Sequence, residues 1–162
     1  MYSAKVITVS DRCYKGERID LSGPALNDLL TAHGFLVDCV TIVPDEKGMI
    51  IKALNEAVEK EYPLILTTGG TGFSKRDITP ESTRCVIDRE APGISEYMRQ
   101  YSIKITPRAM LSRGISGIKN NSLIINLPGS PKAATENIEA VIETLKHGLQ
   151  MLLSSESDCA NE

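Results

Sequence analysis

The sequence predicts an α/β fold, with a mostly parallel central sheet between layers of helix. Three observations predict it. Short β-branched or aliphatic runs alternate with segments of helical period along the whole chain, the pattern of successive βα units. The runs Val6–Ser10 and Leu64–Thr68 lack the polar alternation of a half-exposed strand, as strands covered on both faces do. The 162 residues are 41% hydrophobic and 24% charged, enough to build a core without disulfides or a structural metal. A single domain is expected over residues 1–153, followed by a loose polar tail at 154–162.

Taken in order, Val6–Ser10 reads as the first strand and a polar loop follows it. Ser22 then suits a helix N-cap with Pro24 in the first turn, and Leu26, Leu29, Leu30 and His33 share a face before Gly34 closes the helix. Phe35 to Val43 reads as a second strand, and Ile50, Ile51, Leu54 and Val58 mark the next helix. Leu64–Thr68 is the third strand, ending in Gly69-Gly70-Thr71-Gly72. Thr79 as cap and Pro80 at the first position start a helix that runs through Cys85, Val86 and Ile87 towards Arg89, where Pro92-Gly93 breaks it. A further helix places Ile94, Tyr97, Met98 and Tyr101 on one face, and residues 106–117 are less regular. Asn120-Asn121 is a turn between Ile115–Lys119 and the strand Leu123–Leu127. After Pro128-Gly129-Ser130-Pro131, one last helix carries Ile138, Val141, Ile142, Leu145, Leu149 and Leu152 as a stripe.

A net charge of −3 argues against a partner bound through a nucleic-acid backbone, which needs a basic surface. The four cysteines, Cys13, Cys39, Cys85 and Cys159, form no Cys-x-x-Cys pair, and Cys39 and Cys85 in apolar runs read as small buried hydrophobes. Zinc is not expected. The first residues run directly into a strand without the apolar stretch of a signal peptide or membrane span, so a cytoplasmic protein without a membrane segment is expected.

The chemistry is concentrated between Leu64 and Glu81. A buried strand there delivers a glycine-rich loop, the basic pair Lys75-Arg76, the acid Asp77 and a helix start. Glycines let backbone N–H groups approach an anion, a helix N-terminus adds positive potential, and a nearby carboxylate can share magnesium with phosphate. The P-loop pattern is absent, and Lys75 stands where a dinucleotide fingerprint wants glycine. By itself such a loop serves equally as a tight strand reversal, and Lys75-Arg76-Asp77 as a solvated charge cluster. Asp11, Asp45 and Pro128-Gly129-Ser130-Pro131-Lys132 follow other strands, and a parallel sheet would bring all of these ends to one edge, although either acid could be a turn or cap residue.

Ile65-Leu66-Thr67-Thr68-Gly69-Gly70-Thr71-Gly72, with Asp77 and Thr79-Pro80-Glu81 behind it, resembles the signature of the molybdenum-cofactor biosynthesis proteins of the Mog and MoaB type, a group that includes the gephyrin G domain. The resemblance extends through Thr8-Val9-Ser10-Asp11-Arg12, then Asp20, Gly23 and Pro24, Val43-Pro44-Asp45-Glu46, Asp88 to Gly93, Leu111-Ser112-Arg113 and Asn126 to Lys132. It covers nearly the whole chain in order. It implies a three-layer α/β/α fold, a homotrimer, and transfer of AMP from ATP to molybdopterin with magnesium, with a separate molybdenum-insertion protein as a further partner. The segments around Asp77 and Asp88 resemble the adenylyltransferase branch more than the MoaB branch.

The same resemblance assigns Asp45 and Asp77 to the catalytic centre, acting through magnesium, with Asp11 as a third acid at the site. It sets Gly69, Gly70, Thr71 and Gly72 along phosphate, Gly129 and Ser130 on the nucleotide side, and Ser112 and Arg113 as holders of the pterin. Two alternatives stand beside it. One is a molybdopterin-binding or carrier protein without turnover. The other is the competence-damage protein family, whose resemblance is confined to the glycine loop.

Overall fold

A computed structural model describes residues 1–154. Its elements are β1 (Ser3–Val9), α1 (Asp11–Tyr14), α2 (Ser22–Ala32), β2 (Leu36–Val37), β3 (Thr41–Val43), α3 (Lys47–Glu59), β4 (Leu64–Thr68), α4 (Thr79–Arg84), β5 (Arg89–Glu90), α5 (Pro92–Ile103), a 3-10 helix (Pro107–Leu111), β6 (Ser116–Lys119), β7 (Ser122–Leu127), α6 (Pro131–Glu139) and α7 (Ile142–Leu153). The strands form one sheet ordered β2-β1-β4-β7-β6-β5, with β3 also pairing β1. β1 runs parallel to β2, β3 and β4, and β4 runs parallel to β7. β6 and β5 continue the sheet antiparallel, through the hairpin turn at Asn120-Asn121.

Two apolar clusters occupy the two faces of this sheet. Leu64, Leu66, Leu123, Ile125 and Leu127 pack with Leu26, Leu30, Ile138, Leu145 and Leu149. Ile65, Ile7 and Ile124 pack on the other face with Ile50, Leu54 and Val86. Alternate residues of one strand serve opposite layers, which is why the central runs show no polar alternation. Each fully buried Leu or Ile contributes roughly 1.5–3 kcal/mol by leaving water. The result is the expected α/β/α arrangement with a mostly parallel sheet.

Several local expectations are corrected. Residues 35–43 make two short strands separated at 38–40, because Asp38 is held sideways. Its Oδ2 accepts from the Tyr62 hydroxyl at 2.7 Å and lies 3.6 Å from Lys5 Nζ, while that ammonium donates to Cys39 O at 2.5 Å. Cys39 is consequently exposed, and so is Cys85, which lies just past the end of α4; neither is the buried hydrophobe expected. Ser22 does not cap α2 with its side chain. Asp20 does that work, its Oδ1 accepting from the Ser22 and Gly23 amides at 3.1 Å each. The helix beginning at Thr79 ends at Arg84, and Pro92 starts α5 instead of breaking an earlier helix. Tyr97 and Tyr101 are exposed on α5, whereas Met98 is buried. The last helix is two helices, parted at Ala140–Val141. Ser154, expected to open the tail, closes α7 through its amide on Gln150 O at 2.9 Å; residues 155–162, including Cys159, lie outside the described residues.

The Tyr62 hydrogen bond, with help from the Cys39 amide and Lys5, lowers the Asp38 carboxyl to about 2, and the Tyr62 phenol rises to about 12. A carboxyl whose folded pKa is depressed adds stability that is present above its ordinary value of 3.8 and lost as the pH falls through about 2. Tyr62→Phe should therefore be less stable than the parent at pH 6, and the difference should close as the pH falls from about 4 to 2. Thermal unfolding followed across that range checks it; a gap that stays constant with pH would remove the assigned coupling.

Candidate active site

Four strand ends build the site. β1 ends at Val9, and Ser10 caps α1 by accepting from the Cys13 amide at 3.2 Å, which places Asp11 at the first helical position. β3 ends at Val43, with Asp45 two residues on. The two acids are locked together by reciprocal backbone bonds: the Asp11 amide donates to Asp45 Oδ2 at 2.8 Å, and the Asp45 amide to Asp11 Oδ1 at 3.1 Å.

β4 ends at Thr68 and turns through Gly69 and Gly70, at φ of +100° and +65°. A Cβ at Gly69 would stand 2.3 Å from Val9 O, and one at Gly70 would stand 2.3 Å from Thr79 Oγ1 and 3.1 Å from Asp45 Oδ1. Only glycine allows both the left-handed backbone and this approach. Thr79, expected as a cap, donates instead to Gly69 O at 2.9 Å and fixes the turn from below. Further along, Asp77 Oδ2 accepts from the Ser74 amide at 2.9 Å and lies against Gly72. Among the described residues, the amides of Gly70, Thr71, Gly72 and Phe73 donate to no acceptor within the chain. A run of free N–H groups in a glycine turn is a receptor for an anion.

β7 ends beside β4. Thr68 Oγ1 donates to Pro128 O at 2.8 Å, the Gly69 amide donates to Leu127 O at 3.1 Å, and Gly129 lies over Gly69. Ser130 caps α6 through its side chain. This crossing separates two cavities that share Gly129. The larger, about 470 Å³, is walled by Gly70, Thr71, Gly72, Asp77 and Ser112, and reaches Arg99 and Arg108. The smaller, about 310 Å³, is walled by Ser10, Cys13, Asp20, Gly69 and Ser130.

The structure thus brings Asp11, Asp45, Asp77, Gly69–Gly72, Gly129 and Ser130 to one edge, with Ser112 in the wall of the larger cavity. Arg113 turns the other way. Its Nε donates to Gly72 O at 2.7 Å, its Nη2 to Asp77 O at 2.6 Å, and its Nη1 pairs with Glu81. Reasoning from sequence missed Arg99 and Arg108, which carry no local signal. It also missed Asn126, a polar residue inside an apolar strand, whose Nδ2 donates to Thr67 and Thr83 at 2.9 and 2.8 Å beneath the larger cavity.

The three acids differ in charge environment. Arg76 holds the Asp11 carboxyl below its ordinary range through a bidentate pair at 2.9 and 2.8 Å. Burial pushes Asp45 up, and the negative charges of Asp11 and Asp77 add to that. A cation between Asp45 and Asp77 would relieve both effects. Among the described residues, Asp45 and Asp77 each use Oδ2 for a backbone amide and keep Oδ1 without a hydrogen bond. No group of three or more His, Cys, Asp or Glu is placed to cage a metal among the described residues. Two oxygen ligands without a cage fit magnesium, which takes one or two carboxylates and completes its shell with water and phosphate.

A family model described as "Probable molybdopterin binding domain" matches residues 5–147. The chain is 42% identical over 153 residues to the molybdopterin adenylyltransferase of Helicobacter pylori strain J99, covering 93% of this chain and 87% of that one. It is 43% identical over 149 residues to the molybdenum cofactor synthesis protein cinnamon of Drosophila melanogaster, covering 91% of this chain but only 25% of that longer protein. Among solved structures, the molybdopterin biosynthesis enzyme MoaB of Thermus thermophilus is 46% identical with a TM-score of 0.88, covering 94% of this chain and 96% of that one.

Replacing Gly69 by Ala adds a Cβ against a carbonyl in a backbone region that L-residues avoid, which should cost roughly 2 kcal/mol or more. Urea unfolding of Gly69→Ala checks this; an unchanged midpoint would mean that the β4 turn is not constrained as described.

Proposed function

The chain belongs to the molybdopterin-binding domain family of molybdenum-cofactor biosynthesis, and from that membership we propose that it is a molybdopterin adenylyltransferase, passing AMP from ATP to molybdopterin and releasing pyrophosphate. The observation that carries the reading is a glycine turn of free amides with Asp45 against Gly70 and Asp77 against Gly72, beside the point where two cavities meet at Gly129. Two anionic substrates need two adjoining pockets and a junction where their phosphates can be brought into line.

In the proposed reaction the terminal phosphate of the pterin attacks the α-phosphorus of ATP, a bond forms to that phosphorus, and the bond to pyrophosphate breaks. The nucleophile is already ionised, so the residues need to position and neutralise rather than move protons. The amides of Gly70, Thr71 and Gly72 would hold phosphate oxygens. Gly129 and Ser130 would line the nucleotide side, and Ser112 the pterin side. Asp45 and Asp77 would hold magnesium, which when bound supplies charge neutralisation to the phosphates. Asp11 fixes Asp45 through the reciprocal backbone bonds.

A second reading, a protein that binds molybdopterin without turnover, rests on the family model, whose description names binding and no reaction. We further propose one domain over residues 1–153 acting in the cytoplasm, assembled as a homotrimer and handing its product to a molybdenum-insertion protein. Exposed Tyr97, Tyr101, Ile103, Ile105 and Met110 on and after α5 support self-association. Among the described residues no helix is long and apolar enough to cross a membrane.

With molybdopterin, ATP and magnesium, the parent should release pyrophosphate and form the AMP-pterin. Asp77→Asn should turn over on the order of 100-fold more slowly with folding intact. Tight pterin binding without product would instead establish the carrier reading. Light scattering should report the trimer mass, and a monomer would remove the assembly proposal.

A further inference from the structure

Arg113 lies between the 3-10 helix and β6, yet among the described residues every polar contact it makes beyond its own segment is to the glycine loop and the start of α4. Its amide donates to Thr71 O at 2.9 Å, its Nε to Gly72 O at 2.7 Å and its Nη2 to Asp77 O at 2.6 Å, while Nη1 is anchored by Glu81 on α4. Adjacent Ser112 has extended backbone and lies in the wall of the larger cavity, so the chain presents these two neighbours in different directions.

The geometry of a trans peptide gives these contacts a consequence. The C=O and the following N–H of one planar unit point opposite ways. Drawing Thr71 O and Gly72 O towards Arg113 therefore turns the Gly72 and Phe73 amides to the other side, and those amides find no acceptor among the described residues. Holding Asp77 O fixes the other end of the loop, from which the Asp77 carboxylate projects against Gly72.

We propose that Arg113 is a positioning residue that holds segment 71–77 by its carbonyls, and so sets where the loop amides and the Asp77 carboxylate stand, without touching the pterin. A planar guanidinium with several fixed donors can bridge Gly72, Asp77 and Glu81 at once, which a single ammonium cannot. The effect on rate rests on the adenylyl-transfer reading; the effect on the loop does not.

The test compares the parent with Arg113→Lys and Glu81→Ala by amide hydrogen exchange and by steady-state kinetics with molybdopterin, ATP and magnesium. In Arg113→Lys the hydrogen-bonded loop amides of Ser74, Asp77 and Thr79 should exchange about tenfold faster or more, while those of β1, β4 and β7 keep their protection. kcat should fall about 100-fold with the molybdopterin KM changed by less than about threefold, and Glu81→Ala should shift both readouts the same way by less. If Arg113→Lys loses cooperative folding, Glu81→Ala carries the comparison. Unchanged loop exchange in the folded variants overturns the proposal, and so does a molybdopterin KM raised tenfold with kcat kept, which would make Arg113 a pterin contact. A parent without turnover removes the adenylyl-transfer reading, and the exchange measurement still decides the role of Arg113.

Discussion

β4 and β7 leave the sheet at the same level, and no side chain fits where they part. The Gly69 amide must reach Leu127 O while Val9 O stands where a Cβ would go, so the chain turns through a backbone region that favours glycine. Much of the site follows from this junction. Because Gly69 and Gly70 turn there, Thr79 can tie α4 to the turn, Asp45 can lie against Gly70, and Gly129 can cross above to divide the two cavities.

The electrostatics follow from the same compression. Asp11 and Asp45 are tied together by reciprocal backbone hydrogen bonds, and Asp77, held by the Ser74 amide in its own loop, is near enough for its charge to act on Asp45. Arg76 neutralises one of them from the solvent side. Asp45 is left half-buried and under the influence of two other acids, a condition that favours a positive ligand. Beside the acids stand unpaired amides that favour a negative one. An arrangement that wants both signs within one turn of chain suits a phosphate carried with a metal ion better than either alone.

Legibility from sequence tracked how local each determinant is. Leu64–Thr68 was readable to the residue, since a run buried on both faces and closed by glycines has few alternatives. That the glycine loop, Asp11 and Asp45 share one edge was readable because a parallel sheet collects those strand ends, whereas roles for the acids came only with the family resemblance. The interruption at 38–40 was not, because Tyr62 and Lys5 impose it from 24 and 33 positions away. Thr79 followed by Pro80 has the form of a cap, and only the fold shows its hydroxyl serving Gly69. Arg113 was flagged as a site residue, but the direction of its guanidinium depends on the Thr71–Asp77 loop, some 40 residues earlier, and no spacing encodes it. Arg99 and Arg108 sit on helical turns with nothing around them to mark a cavity wall.

The sheet also ends abruptly on both sides. One margin is β2 and β3, two and three residues long and interrupted at 38–40, and the exposed charged pair Arg89-Glu90 of β5 forms the other. A passing extended chain would find too few rungs there to continue the ladder. Growth by strand addition, the route towards fibrous aggregates, is thereby closed at each margin, even though the interior of the sheet is as aliphatic as an aggregation-prone segment. A strongly β-forming centre is tolerable in the folded protein because its short, interrupted margins give that centre little to propagate along.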